Sequence, residues 1–111
     1  MSESTEQIEV TRNDEAGRYE ITVDGELAGF TEFVDHDRQR IFPHTELDEA
    51  FSGRGLSSVL VRQALADTRA AGQRIVPICP LVARYISKHH DEVGDIVDRA
   101  TPEALEFLKS R

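Results

Sequence analysis

The sequence predicts a mixed α/β (α+β) domain, in which a mostly antiparallel sheet is followed by a β-α-β unit and flanking helices. Three observations predict it: period-two alternation confined to the first half of the chain, a switch to helical spacing at Leu56, and a short apolar run at 74–79 after that helix. A chain of 111 residues is read as one domain. Surface scaling has it burying about two-thirds of its extended surface, enough for one core without disulfides. The domain is read as residues 8–111, after a flexible polar start at 1–7.

Residues 8–11 and 19–23 alternate apolar and polar side chains, so each predicts a strand with one buried face. Asp24 and Gly25 supply a tight hairpin turn into a third strand, 26–34, which carries Phe30 and Phe33. A polar turn at 35–39 leads to a fourth strand, 40–47. Pro43 has no N–H to give to a ladder, so it marks a bulge or an unpaired position there. Then Leu56, Val59, Leu60, Ala64, Leu65 and Thr68 recur at helical spacing, predicting a helix of about four turns that ends at Gly72, with Arg62 and Arg69 off the apolar stripe. A buried strand at 74–79 is expected to return beside the fourth strand as a right-handed β-α-β unit. Pro80 opens a second helix, 81–88, and a short strand is expected at 95–97. Thr101 as N-cap, with Pro102 at the first helical position, opens a terminal helix through Leu108.

Charge narrows the function classes. With 21 acidic and 13 basic residues the chain carries −8 and lacks the basic surface of a nucleic-acid binder. No apolar run approaches the roughly 18 residues of a spanning helix, so no membrane partner is expected. One Cys cannot form an internal disulfide, and the opening residues lack the basic start and apolar core of a secretion signal. A cytoplasmic setting is therefore expected. Distribution adds to the sum: from Phe51 to His90, six basic residues (Arg54, Arg62, Arg69, Arg74, Arg84, Lys88) against the single acid Asp67 make +5, leaving −13 elsewhere. A basic middle in an acidic shell suits a small polyanionic ligand, and equally an Arg-rich solvated helix face.

The segment Ser52, Gly53, Arg54, Gly55, Leu56, Ser57, Ser58 lies between a strand and the long helix. Two glycines there let the backbone turn its N–H groups inward as the helix begins, which makes either a phosphate cradle or a plain strand-to-helix turn. It is not a nucleotide-hydrolase loop, for Gly-Lys followed by Ser or Thr is absent. Nor is it the dinucleotide fingerprint, which needs a third glycine where Ser58 stands and normally follows the first strand.

Three stretches together resemble the GNAT superfamily of acetyl-CoA-dependent N-acetyltransferases and, within it, the small single-domain YjdJ-type branch. They are His44, Thr45, Glu46, Leu47; Gly53 to Leu60 with Leu65; and Val76, Pro77, Ile78, Cys79, Pro80 followed by Tyr85, Ile86 and His89. They cover about half the chain in the family's order. Two departures stand out: Ala50 occupies the position where the superfamily has Gln or Arg, and His90, Asp91, Glu92, Val93 follow where branch members read Pro, Glu, Tyr. The resemblance implies a GNAT-like fold and acetyl-CoA as co-substrate, with no metal. It also implies transfer of acetyl directly to an amine, and the acidic shell favours a cationic acceptor, either a small molecule such as a polyamine, or a lysine side chain or basic peptide. In such a site the pantetheine arm lies where the fourth and fifth strands splay, and the N–H groups of Ser52, Gly53, Arg54, Gly55, Leu56 and Ser57 surround the pyrophosphate. A backbone N–H near Leu47 meets the oxyanion, and the Arg54 fork adds donors to phosphate oxygens.

Four side chains are candidates for proton transfer or covalent chemistry. Glu46 and His44 lie two apart on a strand, hence on one face, where Glu46 takes the amine's proton or where both simply meet solvent. Tyr85 occupies the helix on which superfamily members carry a tyrosine acid, and it also reads as an amphipathic core residue. Cys79 ends the fifth strand, either as a nucleophile or as a small buried hydrophobe. The His89, His90, Asp91 run is not read as a metal site, because adjacent His rings do not converge on one ion from a helix. Two other classes stand beside the enzyme: a non-catalytic CoA or acyl-CoA-binding module, and a protein-interaction domain with an acidic face.

Overall fold

The structure, a computed structural model, describes residues 7–51 and 53–110. β1 (Ile8–Asn13), β2 (Arg18–Val23) and β3 (Glu26–Glu32) form the antiparallel meander that the alternation predicts. Asp24 and Gly25 take φ of 52° and 83°, the two left-handed positions of the expected hairpin. Ala28 is the extra residue of a bulge, since Ile21 faces Gly29 while Thr22 faces Leu27.

The third and fourth expected strands are each broken in two. The strand expected over 26–34 stops at Glu32. Phe33 turns against Tyr19, with ring centroids 5.0 Å apart, and its N–H donates to the Gly17 carbonyl at 3.0 Å. The chain resumes as β4 (Val34–His36) in a second sheet. The strand expected over 40–47 divides at Pro43 into β5 (Gln39–Phe42) and β6 (Thr45–Leu47). β5 pairs with β4 and, in parallel, with β7 (Arg74–Pro77), whereas β6 pairs antiparallel with β3. The proline that cannot continue a ladder is where one strand changes sheets. The resulting orders are β1-β2-β3-β6 and β4-β5-β7.

α1 (Leu56–Ala70) packs Leu56, Leu60, Val61, Ala64, Leu65 and Thr68 into the core with Tyr19, Ile21, Val23, Phe42 and Ile75. The buried stripe takes in Val61, and Val59 is only half-buried. Thr68 sits on the buried face because its hydroxyl donates to the Ala64 carbonyl at 2.8 Å. The helix closes as predicted at Gly72: the Gln73 N–H donates to the Thr68 carbonyl and the Gly72 N–H to the Arg69 carbonyl. β7 ends two residues before the expected boundary of 79, because the Ile78 and Cys79 N–H groups both donate to the Phe42 carbonyl, at 3.2 and 2.8 Å. The chain then enters α2 (Pro80–Lys88).

The expected strand at 95–97 is not formed. α3 (His90–Val93) and a 3₁₀ turn, Gly94–Ile96, stand there, and Val97 makes an isolated bridge to Ile75. The Arg69 guanidinium donates to the Asp95 carboxylate at 2.7 Å and to the Glu92 carbonyl at 2.9 Å, while Arg74 donates to Asp98 at 2.9 Å. These bonds hold the segment curled instead of extended. α4 (Pro102–Ser110) begins as predicted, with Thr101 Oγ1 accepting the Ala104 N–H at 3.1 Å. Its Ala104 and Leu108 cover Ile41 and Val76, the residues of β5 and β7 that alternate away from α1.

A polar network ties the meander to α1. Tyr19 donates to Asp67 Oδ2 at 2.6 Å, and Arg40, only 5 % exposed, donates to the Tyr19 hydroxyl oxygen at 2.6 Å and to both Asp35 oxygens at 2.7 and 3.0 Å. Burial and the bond to Asp67 push the Tyr19 hydroxyl up to about 12, while that same bond holds Asp67 below the ordinary carboxylate value.

Candidate active site

The site is built where the two sheets part. β5 and β7 run in register as far as Phe42 and Pro77. Beyond that point Pro43 sends β6 toward β3, and Cys79 starts α2, so the two chains diverge. The Glu32 N–H donates to the His44 carbonyl at 2.8 Å and the Asp48 N–H to the Ala28 carbonyl at 2.7 Å. Because such bonds alternate along an antiparallel pair, Thr45 and Leu47 turn their N–H groups to the opposite edge of β6. Among the described residues no strand pairs there. The expected splay of the fourth and fifth strands is thus present, with the Leu47 N–H on its open side.

β6 leads through a 3₁₀ turn, Glu49–Phe51, into the glycine loop. Asp48 Oδ1 accepts the Ala50 N–H at 2.9 Å, and Phe51 is buried, which anchors the loop. Gly53 and Gly55 take φ of 77° and 73°. A Cβ at either would meet nothing within 4 Å, so glycine is required by backbone conformation and not by space. Gly55 stands at the N-cap of α1 and no side-chain hydrogen bond caps it, so among the described residues the first-turn N–H groups of Leu56 and Ser57 keep donors for an external acceptor. The Arg54 guanidinium lies 5.7 Å from the centroid of the Phe51 ring. Ser52, the remaining loop candidate, lies outside the described residues.

The four chemical candidates fall into three places. His44 Nε2 and Glu46 Oε2 are 2.8 Å apart on the outer face of β6, with side chains 50 % and 62 % exposed. Phe30 lies beside His44 on that face, centroids 6.3 Å apart. Thr45 points the other way: its Oγ1 accepts the Cys79 sulfhydryl at 3.3 Å and lies 2.7 Å from Thr31 Oγ1. Cys79 is buried, at the vertex of the splay. Tyr85 is on α2, stacked on His89 at 4.2 Å with its hydroxyl donating to Glu92 Oε1 at 3.3 Å. Burial and the neighbouring Glu92 charge push its pKa up, so it stays protonated at neutral pH. Among the described residues no hydrogen bond or ring contact joins Tyr85 to Cys79, His44 or Glu46.

The basic middle divides as well. Arg69 and Arg74 are paired with Asp95 and Asp98. Arg84 and Lys88 line a cleft of about 220 Å³ with Ser57, Ser58, Leu81, Tyr85 and His89. Sequence reasoning singled out neither Thr45 as the partner of Cys79 nor Arg84 and Lys88 as neighbours of the loop. The i, i+4 spacing of those two cations on the second helix was the available signal for the latter. Among the described residues no group of three or more His, Cys, Asp or Glu is placed to hold a metal ion, and no helix is long and apolar enough to cross a membrane.

Comparison with curated proteins finds no match. A family-wide comparison does: the sequence pattern of the GCN5-related N-acetyl-transferase family matches residues 18–96, which run from β2 through the glycine loop and α2 to the 3₁₀ turn. A divided fourth strand, a parallel partner that leaves it and a glycine loop opening the intervening helix all lie within that span, and the chain belongs to the GCN5-related N-acetyltransferase family.

Proposed function

We propose that this protein is an acetyl-CoA-dependent N-acetyltransferase that passes acetyl directly from CoA to an amine, and that it falls in the small single-domain branch of its family. The observation that carries the reading is the continuity of the open edge of β6 with the Gly53–Gly55 loop, which offers one ligand backbone donors at Leu47 and again at Leu56 and Ser57. The donor set fits: N–H groups without intrahelical partners at the start of α1 suit a pyrophosphate, and the free strand edge suits the amide groups of pantetheine.

Glu46, with His44 beside it, takes the proton of an amine arriving over the outer face, directly or through a water. The Leu47 N–H donates to the carbonyl oxygen as the new C–N bond forms and the C–S bond breaks. The departing thiolate takes its proton from solvent, Cys79 with Thr45 walls the vertex, and Tyr85, whose hydroxyl is held by Glu92, lines the cleft beside α1 and not the thiolate's position. The bareness of the outer face and the −8 charge favour a cationic acceptor, such as a polyamine or a lysine side chain.

Acetyl-CoA consumption across a panel of amines tests this. Turnover with at least one cationic amine is expected. Thermal stabilisation by CoA without turnover on any amine would make the protein a binding module instead.

A further inference from the structure

We infer that the cleft between the first turn of α1 and α2 is the seat of the 3′-phosphate of coenzyme A; this rests on the functional reading above and extends it to a second anchoring point. The glycine loop accounts for the pyrophosphate alone. Coenzyme A carries a further phosphate on its ribose, one sugar away. The cleft adjoins the loop without a break, because Ser57 belongs to the first turn that follows Gly55 and also lines the cleft. Opposite Ser57 and Ser58 stand Arg84 and Lys88, four residues apart and therefore one turn apart on one face of α2.

Among the described residues neither Arg84 nor Lys88 has a hydrogen bond or ion pair, whereas Arg69 and Arg74 are both taken by aspartates. Two like charges at that spacing repel each other, and an anion between them removes the penalty. A third cation, Arg62, lines an adjoining space of about 150 Å³ that shares Ser58, Tyr85 and His89 with the cleft. Glu92 is the carboxylate there, and it is engaged by the Tyr85 hydroxyl at 3.3 Å and by His89 Nδ1 at 3.4 Å. The stacked Tyr85 and His89 rings give the cleft a flat wall suited to a nucleoside. A ligand with three phosphate groups meets a chain of charge −8, so its affinity depends on such a local reversal of sign.

Calorimetric titration of CoA and of dephospho-CoA, which has a hydroxyl at the 3′ position, tests the assignment on the unaltered protein and on the double variant Arg84→Gln, Lys88→Gln. The unaltered protein is expected to bind CoA on the order of tenfold more tightly than dephospho-CoA, a preference that shrinks with added salt. The double variant is expected to bind both at the dephospho-CoA level. Equal affinity of the unaltered protein for the two ligands overturns the inference and leaves the acetyltransferase reading standing, as does a double variant that keeps the preference. Binding of neither ligand to the unaltered protein overturns both.

Discussion

The Cys79 sulfhydryl donates to Thr45 Oγ1 across 3.3 Å, and this contact bridges the two chain segments where their backbone pairing has ended. Thr45 is flanked by His44 and Glu46, which point to the other face of the same short strand. β6 thus separates a buried side, holding the thiol and two hydroxyls, from an exposed side, holding a carboxylate and an imidazole. On the proposed mechanism the acyl group meets the strand's edge between them.

The carboxylate is expected to serve chemistry and not binding. Glu46→Gln should leave the affinity for CoA unchanged and lower kcat by about 100-fold or more, the usual scale of a lost general base. Steady-state rates with a responsive amine, together with a CoA titration of the same variant, check both halves. Unaltered turnover would remove Glu46 from the mechanism.

At the loop the expected change is in binding. Gly55 holds φ of 73°, a conformation that costs a non-glycine residue roughly 1–2 kcal/mol, and a carboxylate there faces the same donors as the ligand. Gly55→Glu is predicted to lose detectable CoA binding in calorimetry while the far-ultraviolet spectrum stays that of the folded protein.

The Tyr19, Asp67 and Arg40 network predicts a stability profile bounded at both ends of the pH scale. Tyr19 is raised from 10.0 to about 12 in the folded chain, so its contribution is complete below pH 10.0 and is lost as pH climbs toward about 12. Asp67 is lowered below 3.8, so its contribution is present above that value and lost as pH falls through the folded one. Tyr19→Phe is expected to cost about 1–2 kcal/mol at neutral pH and to flatten part of the alkaline decline. Melting temperature followed against pH for both proteins measures this, and an identical alkaline limb would argue against the network.

α4 lies beyond the matched residues 18–96, yet it covers Ile41 and Val76. Ala104 is 2 % exposed, so Ala104→Asp buries an unpaired carboxylate and should destabilise by about 3 kcal/mol, lowering Tm by about 10 °C or more. Thermal denaturation reads the effect, and a shift of only a degree or two would mean that α4 is not part of the core.

Much of this architecture was legible in the sequence wherever a signal is local. Alternation marks β1 and β2, Asp24 and Gly25 set their turn, Gly72 ends α1, and Thr101 with Pro102 starts α4, because each acts through its own backbone. Pro43 marked a fault in the fourth strand, but the consequence, one strand serving two sheets, depends on which neighbours compete for Phe42 and Thr45. The strand expected at 95–97 failed for a similar reason. Arg69 and Arg74 capture Asp95 and Asp98 from 26 and 24 positions away, and no local pattern carries that. The loop glycines and the His44 and Glu46 face were readable as spacing, whereas the distance between Tyr85 and those residues is set by packing of α2 on α1.

The most direct test of the central claim, that one ligand runs from the open edge of β6 into the glycine loop, is titration of acetyl-CoA into isotope-labelled protein followed through its backbone amide resonances. The largest shifts are predicted at Leu47, Gly53, Gly55 and Ser57, with the amides of Ala104 and Leu108 on α4 unmoved. No change at millimolar acetyl-CoA, or changes confined to α4 or β1, would contradict the claim.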